Sequence, residues 1–472
     1  MNQQHLPAEL GWALIFLMSV LWIYLGHYWG QKNKSFDDIA VGSRKIGLAL
    51  GTATAVASWI TSNTTMLAPQ FALQMGIWGM LAYCAASFGL FLFAPMAERI
   101  RNLMPNGYTS GDFIRLRYGR PTWIIFLCLS LFYSITWLVS MSMAGGILLE
   151  SLSGIPYHYG MSIILLVCVI YTMRGGIYAV IGTDFIQSTI ILLGVIILGI
   201  AILNKIDVAD IHANLKERSP LLLDMLFPAP IMAIFNNLLF GLGEIFHNNI
   251  WWSRAFALRK EVGKKAYFLA GLIWLPVPIA AGFIALTTGV LNINVPAPDM
   301  VGPLVAANVL GKSGAIVIFI VVFCSLASSI DSLLAATSDL LTEDVFRKIF
   351  RPTATDKQLR SSAQKITLSL GLLVWLLCLP RIGSLATVLF FAGPMVGSMI
   401  WPIVSGLYWE RANAKGAITG MILGTLIGLA TYFLVGWYVA SLVSTVVSMV
   451  CVFLFTSIQK KRFDWSQLEE VH

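Results

Sequence analysis

Charge is scarce in this chain. Asp, Glu, Lys and Arg make up 11% of its 472 residues, against roughly a quarter in soluble domains, and 57% of the residues are hydrophobic. With a mean hydropathy of +0.79, a soluble globular protein is excluded and an integral membrane protein is indicated. Catalytic signatures are missing as well. No G-x-S-x-G, H-E-x-x-H, P-loop or H-x-E…C-x-x-C pattern occurs, and the buried acids lie on different apolar segments, which argues against an enzyme. Cysteine is sparse. Cys84, Cys128, Cys168, Cys324, Cys378 and Cys451 fall inside apolar segments with no C-x-x-C pair, and read as small buried hydrophobes rather than disulfides or metal ligands. The first nine residues hold no Lys or Arg, so a signal-peptide n-region is not expected. The apolar runs do not alternate, which excludes a transmembrane β-barrel.

Thirteen apolar runs take the place of these features. They cover 10–28, 47–75, 79–97, 123–149, 161–173, 182–203, 228–250, 266–291, 314–341, 365–379, 385–408, 416–435 and 437–455. Most hold the roughly 20 residues a helix needs to cross a bilayer, so the expected fold is an all-α polytopic membrane protein of thirteen transmembrane helices. The basic residues orient it. With the N-terminus outside and the C-terminus in the cytoplasm, 26 of the 31 Lys and Arg fall in inside segments and 5 outside. The net charge of +8 therefore belongs to a cytoplasmic membrane face, and no nucleic-acid partner is expected. Segments 204–227 and 292–313 suit short surface helices or gates, and 342–364 reads as the largest cytoplasmic loop. The chain is read as one transporter domain, 1–472.

The stretch Val56–Gln70, V-A-S-W-I-T-S-N-T-T-M-L-A-P-Q, sits inside an apolar run yet crowds hydroxyls and one amide before Pro69. Irregular polar backbone at membrane depth is tolerated where it lines a cavity, so a broken helix is expected here; a Ser/Thr-rich helix contact is the alternative. A second cluster is Cys324–Ser332. At 100° per residue Ser325, Ser328, Ser329 and Ser332 share one face. Those hydroxyls, with carbonyls freed by a neighbouring broken helix, would make an all-oxygen cage for a small hard cation; close packing through small residues is the alternative. Asp184, Glu244, His247 and Asp331 are ionisable groups at membrane depth, each a candidate functional residue. Asp184 has a second reading as a helix cap, and a lone His in a span is more often a core residue. Gly241 and Gly243 are expected to let their helix unwind.

Tyr171–Gln187, Y-T-M-R-G-G-I-Y-A-V-I-G-T-D-F-I-Q, resembles the sodium/solute symporter signature Y-T-x-x-G-G-x-x-A-V-x-x-T-D-x-x-Q at every fixed position. S-S-x-x-S followed by L-T-E-D at Ser328–Asp344 and S-R-x-x-G at Ser43–Gly47 extend the match over 36–408. Asn248–Tyr267 and Pro105–Gly119 look like the urea active transporter branch. The chain departs from that branch at Asp331, where a small hydroxyl residue is usual, and proline-type and other small-solute carriers share the same core.

The resemblance implies a five-plus-five inverted-repeat core of the leucine-transporter kind, 47–203 and 228–408, with extra helices 10–28, 416–435 and 437–455. It implies a Na+ site made by Ala57, Ile60, Ser325, Ser328 and Ser329, with Asp184 near the sodium exit path. Sodium is then the coupling ion of a symporter in the cell membrane that imports a small polar organic solute, urea or a similar amide. A proline-type symporter is the alternative, and a transporter-derived sensor or channel-like uniporter is the alternative of another class. The solute is expected between the broken second span and the seventh, touched by Trp59, Thr64, Trp137, Glu244 and Asn248. Asn248 offers donors and an acceptor, and Glu244 suits a solute rich in N–H groups.

Overall fold

A computed structural model describes residues 6–31, 35–224, 226 and 228–469. Lys32 and Lys34 of the first basic loop lie outside the described residues. The described residues are helical throughout, with one isolated bridge, Ile46 to Leu258, and no strand. The first half comprises α1 (Ala8–Gly30), α2 (Phe36–Val41), α3 (Leu48–Trp59), α4 (Ser62–Ala85), α5 (Phe88–Leu103), α6 (Ser110–Tyr118), α7 (Arg120–Ser153), α8 (Tyr157–Leu203) and α9 (Val208–Arg218). The second begins with α10 (Pro228–His247), α11 (Asn249–Ala257), α12 (Gly263–Trp274), α13 (Pro276–Leu286) and α14 (Val301–Leu340). It closes with α15 (Asp356–Cys378), α16 (Leu385–Phe391), α17 (Gly393–Tyr408), α18 (Ala414–Leu434) and α19 (Trp437–Ile458). At the centre, α14 packs along α8, α7 and α4, while α18 and α19 pair with each other against α17.

Ten helical stretches among the described residues are long and apolar enough to cross a bilayer. Two shorter apolar helices, Leu48–Trp59 and Tyr157–Met173, stand beside them, and the expected thirteen spans are neither reproduced nor excluded by this number. Segments 47–75 and 79–97 meet at Gly76 (φ 65°, ψ −145°), where the backbone leaves the helix inside α4, and the first of them is itself cut after the short apolar helix α3. Segments 161–173 and 182–203 fall on the two sides of a break inside α8, where Gly176 (φ 53°, ψ −167°) leaves the helical conformation. That backbone geometry is strained for any residue with a Cβ, so the Gly175-Gly176 pair supplies the break.

Three expectations are corrected. The hydrophilic 342–364 is not an open loop: α14 runs on as a wide helical turn over Leu341–Phe350, burying Thr342, Glu343 and Asp344, and α15 starts at Asp356. Gly241 and Gly243 do not unwind α10. A Cβ there would stand 2.8 Å from the Ala86 backbone and 2.4 Å from the Val396 carbonyl, so both glycines serve close helix approach. Cys128 is exposed on the bundle's outer surface and Cys451 half-buried, whereas the other four cysteines are buried. Segment 204–227 does carry surface helices, α9 and the short turn Pro220–Leu223.

Candidate functional site

The run of hydroxyls at 56–70 breaks the helix. Helix α3 ends at Trp59, Ile60 takes φ −81° and ψ 80°, and Thr61 is extended before α4 starts. Thr61 and Thr64 cap each other: the Thr64 amide donates to the Thr61 hydroxyl, and the Thr61 amide donates to the Thr64 hydroxyl, each at 3.2 Å. In an unbroken helix the Thr61 amide would go to Ala57, so the reciprocal cap frees the Ala57 carbonyl.

That carbonyl takes a partner from α14 instead. The Ser328 hydroxyl donates to the Ala57 carbonyl at 3.1 Å and lies 3.2 Å from the Ser325 carbonyl. The Ser329 hydroxyl donates to the same Ser325 carbonyl at 2.8 Å, while the Ser325 hydroxyl turns back to Val321. Ala57, Ser325, Ser328 and Ser329 are thus gathered at the break, with Ile60 at the point where α3 stops, all fully or nearly fully buried.

Asp184 stands one layer away, inside α8 rather than at a helix start. Its carboxylate accepts from the Thr54 hydroxyl at 2.6 Å and from the Arg254 guanidinium at 3.3 Å. Arg254, on α11, also donates to Thr54, to the Ile250 carbonyl and to the Ser332 hydroxyl at 2.8 Å. Ser332 in turn lies 3.2 Å from the Ser58 hydroxyl on α3. One guanidinium therefore ties four helices together beside the oxygen cluster. In the sequence Arg254 stands just before the basic run Arg259–Lys265 and looks like part of it. The flanking Trp252 and Phe256 were the available sign that it is buried. Asp331 faces α8, where Tyr171 donates to it at 3.0 Å and to the Ala327 carbonyl at 2.9 Å.

A narrow pocket opens beside the break. Trp59, Thr64 and Trp137 line it, joined by Tyr83, Asn237, Phe240, Trp274 and Phe390, none of which the sequence singled out. Trp59 packs edge-on to Trp137 (centroids 6.1 Å) and Trp251 (5.5 Å), and the Trp274 indole donates to the Trp59 carbonyl at 2.7 Å. The indole N–H of Trp59, that of Trp137 and the amide nitrogen of Asn237 are buried without a partner among the described residues. Glu244 and Asn248 do not line this cavity. Glu244 accepts from the Trp251 indole at 3.2 Å and from the Asn248 amide at 3.2 Å. Asn248 also caps α11 by accepting from the Ile250 amide, so the α10–α11 chain breaks there and not at the glycines. His247 turns to the Gly243 carbonyl at 2.6 Å and packs against Tyr133.

Residues 40–424 match the family profile described as the sodium:solute symporter family. The rice (Oryza sativa subsp. japonica) urea-proton symporter DUR3 is 26% identical over 89% of this chain and 63% of its own length. The urea active transporter of Saccharomyces cerevisiae is 25% identical over 92% and 63%. The chain thus spans under two thirds of these two relatives. The Bacillus subtilis osmoregulated proline transporter OpuE is 25% identical over 85% of this chain and 84% of its own. In fold, the chain resembles a Na+-coupled sialic acid symporter with a TM-score of 0.81, at 17% identity over 96% of this chain and 98% of that one.

Proposed function

Because the chain belongs to the sodium:solute symporter family, we propose that it carries a small neutral solute with a carbonyl group, urea or a close amide, into the cell on the sodium gradient. The observation that supports this most is the meeting of the Ile60–Thr61 break with the Ser325–Ser329 turn. In this reading the carbonyls of Ala57, Ile60 and Ser325 and the hydroxyls of Ser328 and Ser329 hold one Na+, since a hard cation takes oxygen ligands. Asp184, clamped by Arg254, is a fixed charge beside the ion's exit and not a ligand.

The solute lies in the aromatic cavity. A planar amide stacks on the indole faces while its carbonyl takes the unmatched N–H groups of Trp59, Trp137 and Asn237, which are costly to leave unpaired. Glu244 and Asn248 then act from behind, by holding Trp251 against Trp59. The two urea-carrying relatives support this choice of solute over proline. The two broken helices, at Ile60–Thr61 and at Asn248, stand one in each inverted repeat, 47–203 and 228–408. The N-terminus is outside, so the end of the bundle holding 342–364 faces the cytoplasm. Each sodium ion crossing ~100 mV supplies about 2.3 kcal/mol, enough for roughly fifty-fold accumulation of a neutral solute.

Uptake of labelled urea into proteoliposomes tests the reading, with a sodium gradient at constant pH in one arm and a proton gradient in choline in the other. The second arm is set by the rice relative, which is named a proton symporter. Accumulation only with sodium is expected; accumulation only with protons overturns the sodium site. In the same assay Ser328→Ala and Ser329→Ala should each raise the sodium concentration for half-maximal uptake about tenfold. Losing one hydroxyl ligand costs about 1.4 kcal/mol and leaves no buried charge. Unchanged sodium dependence in both variants would move the ion elsewhere. Trp137→Ala should raise the KM for urea about tenfold or more at unaltered sodium affinity, because it removes a stacking wall and an N–H donor together.

A further inference from the structure

A second cavity, roomier than the first, lies at the C-terminal end of α14. Thr172 and Gly176 of α8, Ala335 and Asp339 of α14, and Arg360 and Gln364 of α15 line it. The break at Gly176 opens the space. Along α14 the lining begins at Ala335 and ends at Asp339, so at 1.5 Å per residue it lies roughly 10 to 16 Å from Ser328.

Its polar groups are unmatched. Asp339 is 5% exposed, yet no hydrogen bond or ion pair holds its carboxylate among the described residues. The Thr172 hydroxyl and the Arg360 Nε–H are buried without partners, and no ion pair joins Arg360 to Asp339. Three helices thus offer one cavity a carboxylate acceptor, a hydroxyl and a guanidinium donor. Buried polar groups are rarely left in this condition unless something completes them.

Charge selects the ligand class. A carboxylate and a guanidinium on one cavity cancel, so a simple cation or anion gains from one and loses to the other. A neutral molecule with N–H groups for Asp339 and a carbonyl for Arg360 gains from both. We infer that this cavity is a second solute site, taking a small neutral amide at the end of the molecule where the solute is released. The choice of urea as its probe rests on the carrier reading above.

Equilibrium binding of labelled urea to the full chain in nanodiscs tests the inference. The parent should show two saturable components. Asp339→Ala and, independently, Arg360→Gln should remove one of them or weaken it at least tenfold, leaving the component that Trp137→Ala removes. Arg360 is only half-buried, so its variant keeps the test open if Asp339→Ala does not fold. A single component in the parent, or two that neither variant changes, overturns the second site. Sodium-driven urea uptake in that same preparation separates the failures: uptake with one insensitive component defeats this inference alone, whereas absence of both uptake and binding defeats the carrier reading with it.

Discussion

Replacing Arg254 with leucine is expected to cost the fold about 3 to 5 kcal/mol and to abolish uptake. Arg254 is 2% exposed and is the partner of a fully buried Asp184. Removing it leaves an unpaired carboxylate among apolar helices, along with Thr54 and Ser332 that lose a donor. Breaking a buried pair from one side costs far more than the net worth of the pair, because the surviving charge has no water to return to. The double variant Arg254→Leu/Asp184→Asn should therefore be more stable than Arg254→Leu alone. Thermal unfolding in detergent, followed by the monomer peak on size exclusion, measures both. Parent-like stability in Arg254→Leu would show that this pair does not hold α3, α8, α11 and α14 together.

Lys348→Met is expected to have the second largest effect. The Lys348 ammonium hydrogen-bonds Asp112 on α6, and lies 3.0 Å from Asp344 and 3.7 Å from Glu343. Asp344 is also bonded by the Thr109 hydroxyl at 2.6 Å and by the Trp123 indole at 3.0 Å. Without the ammonium, three carboxylates crowd a site where Asp112 and Asp344 are fully buried, and α6 keeps only the Thr109 bond to the segment that follows α14; about 3 kcal/mol or more should be lost. The pH dependence should change as well. Burial pushes the Asp112 carboxyl up, but Lys348 and the Tyr108 and Thr109 amides outweigh it, and the group titrates below its usual range. A depressed pKa stabilises the fold above the ordinary carboxylate value, about 3.9, and that stability is lost as pH falls through the lower folded value. In Lys348→Met, burial acts with its main opponent gone, so the variant should gain stability as pH is lowered from 8 towards 5. A flat response in the variant would mean that Lys348 does not set the charge state there.

The helix break and the serine face were legible because their signals are local. Hydroxyls in an apolar run must find partners, and a 100° step decides whether Ser325, Ser328 and Ser329 share a side. For Arg254 the flanking Trp252 and Phe256 hint at burial, but its partner Asp184 is 70 residues away in sequence and no local signal points to it. The cavity walls escaped for a related reason. Tyr83, Trp274, Phe240 and Phe390 are aromatics in apolar helices, and nothing in such a helix marks which aromatic faces lipid and which faces a cavity. Gly241 and Gly243 misled because the residue that permits unwinding also permits two helices to touch. Gly176, with its left-handed φ, separates the helical segments on its two sides, much as the Gly175-Gly176 pair between the apolar runs 161–173 and 182–203 suggests.

The cut at Ile60–Thr61 also sets two helix dipoles head to tail. The carbonyl end of α3 carries about half a negative charge and the N–H end of α4 about half a positive one, a few residues apart. In the proposed carrier a cation is drawn to the first end and the oxygen of a neutral solute to the second, so one interruption of the backbone sorts two cargoes without spending a charged side chain on either. Neither half-charge can be titrated away, and its pull on both cargoes should therefore persist across the whole pH range in which the helices stay folded.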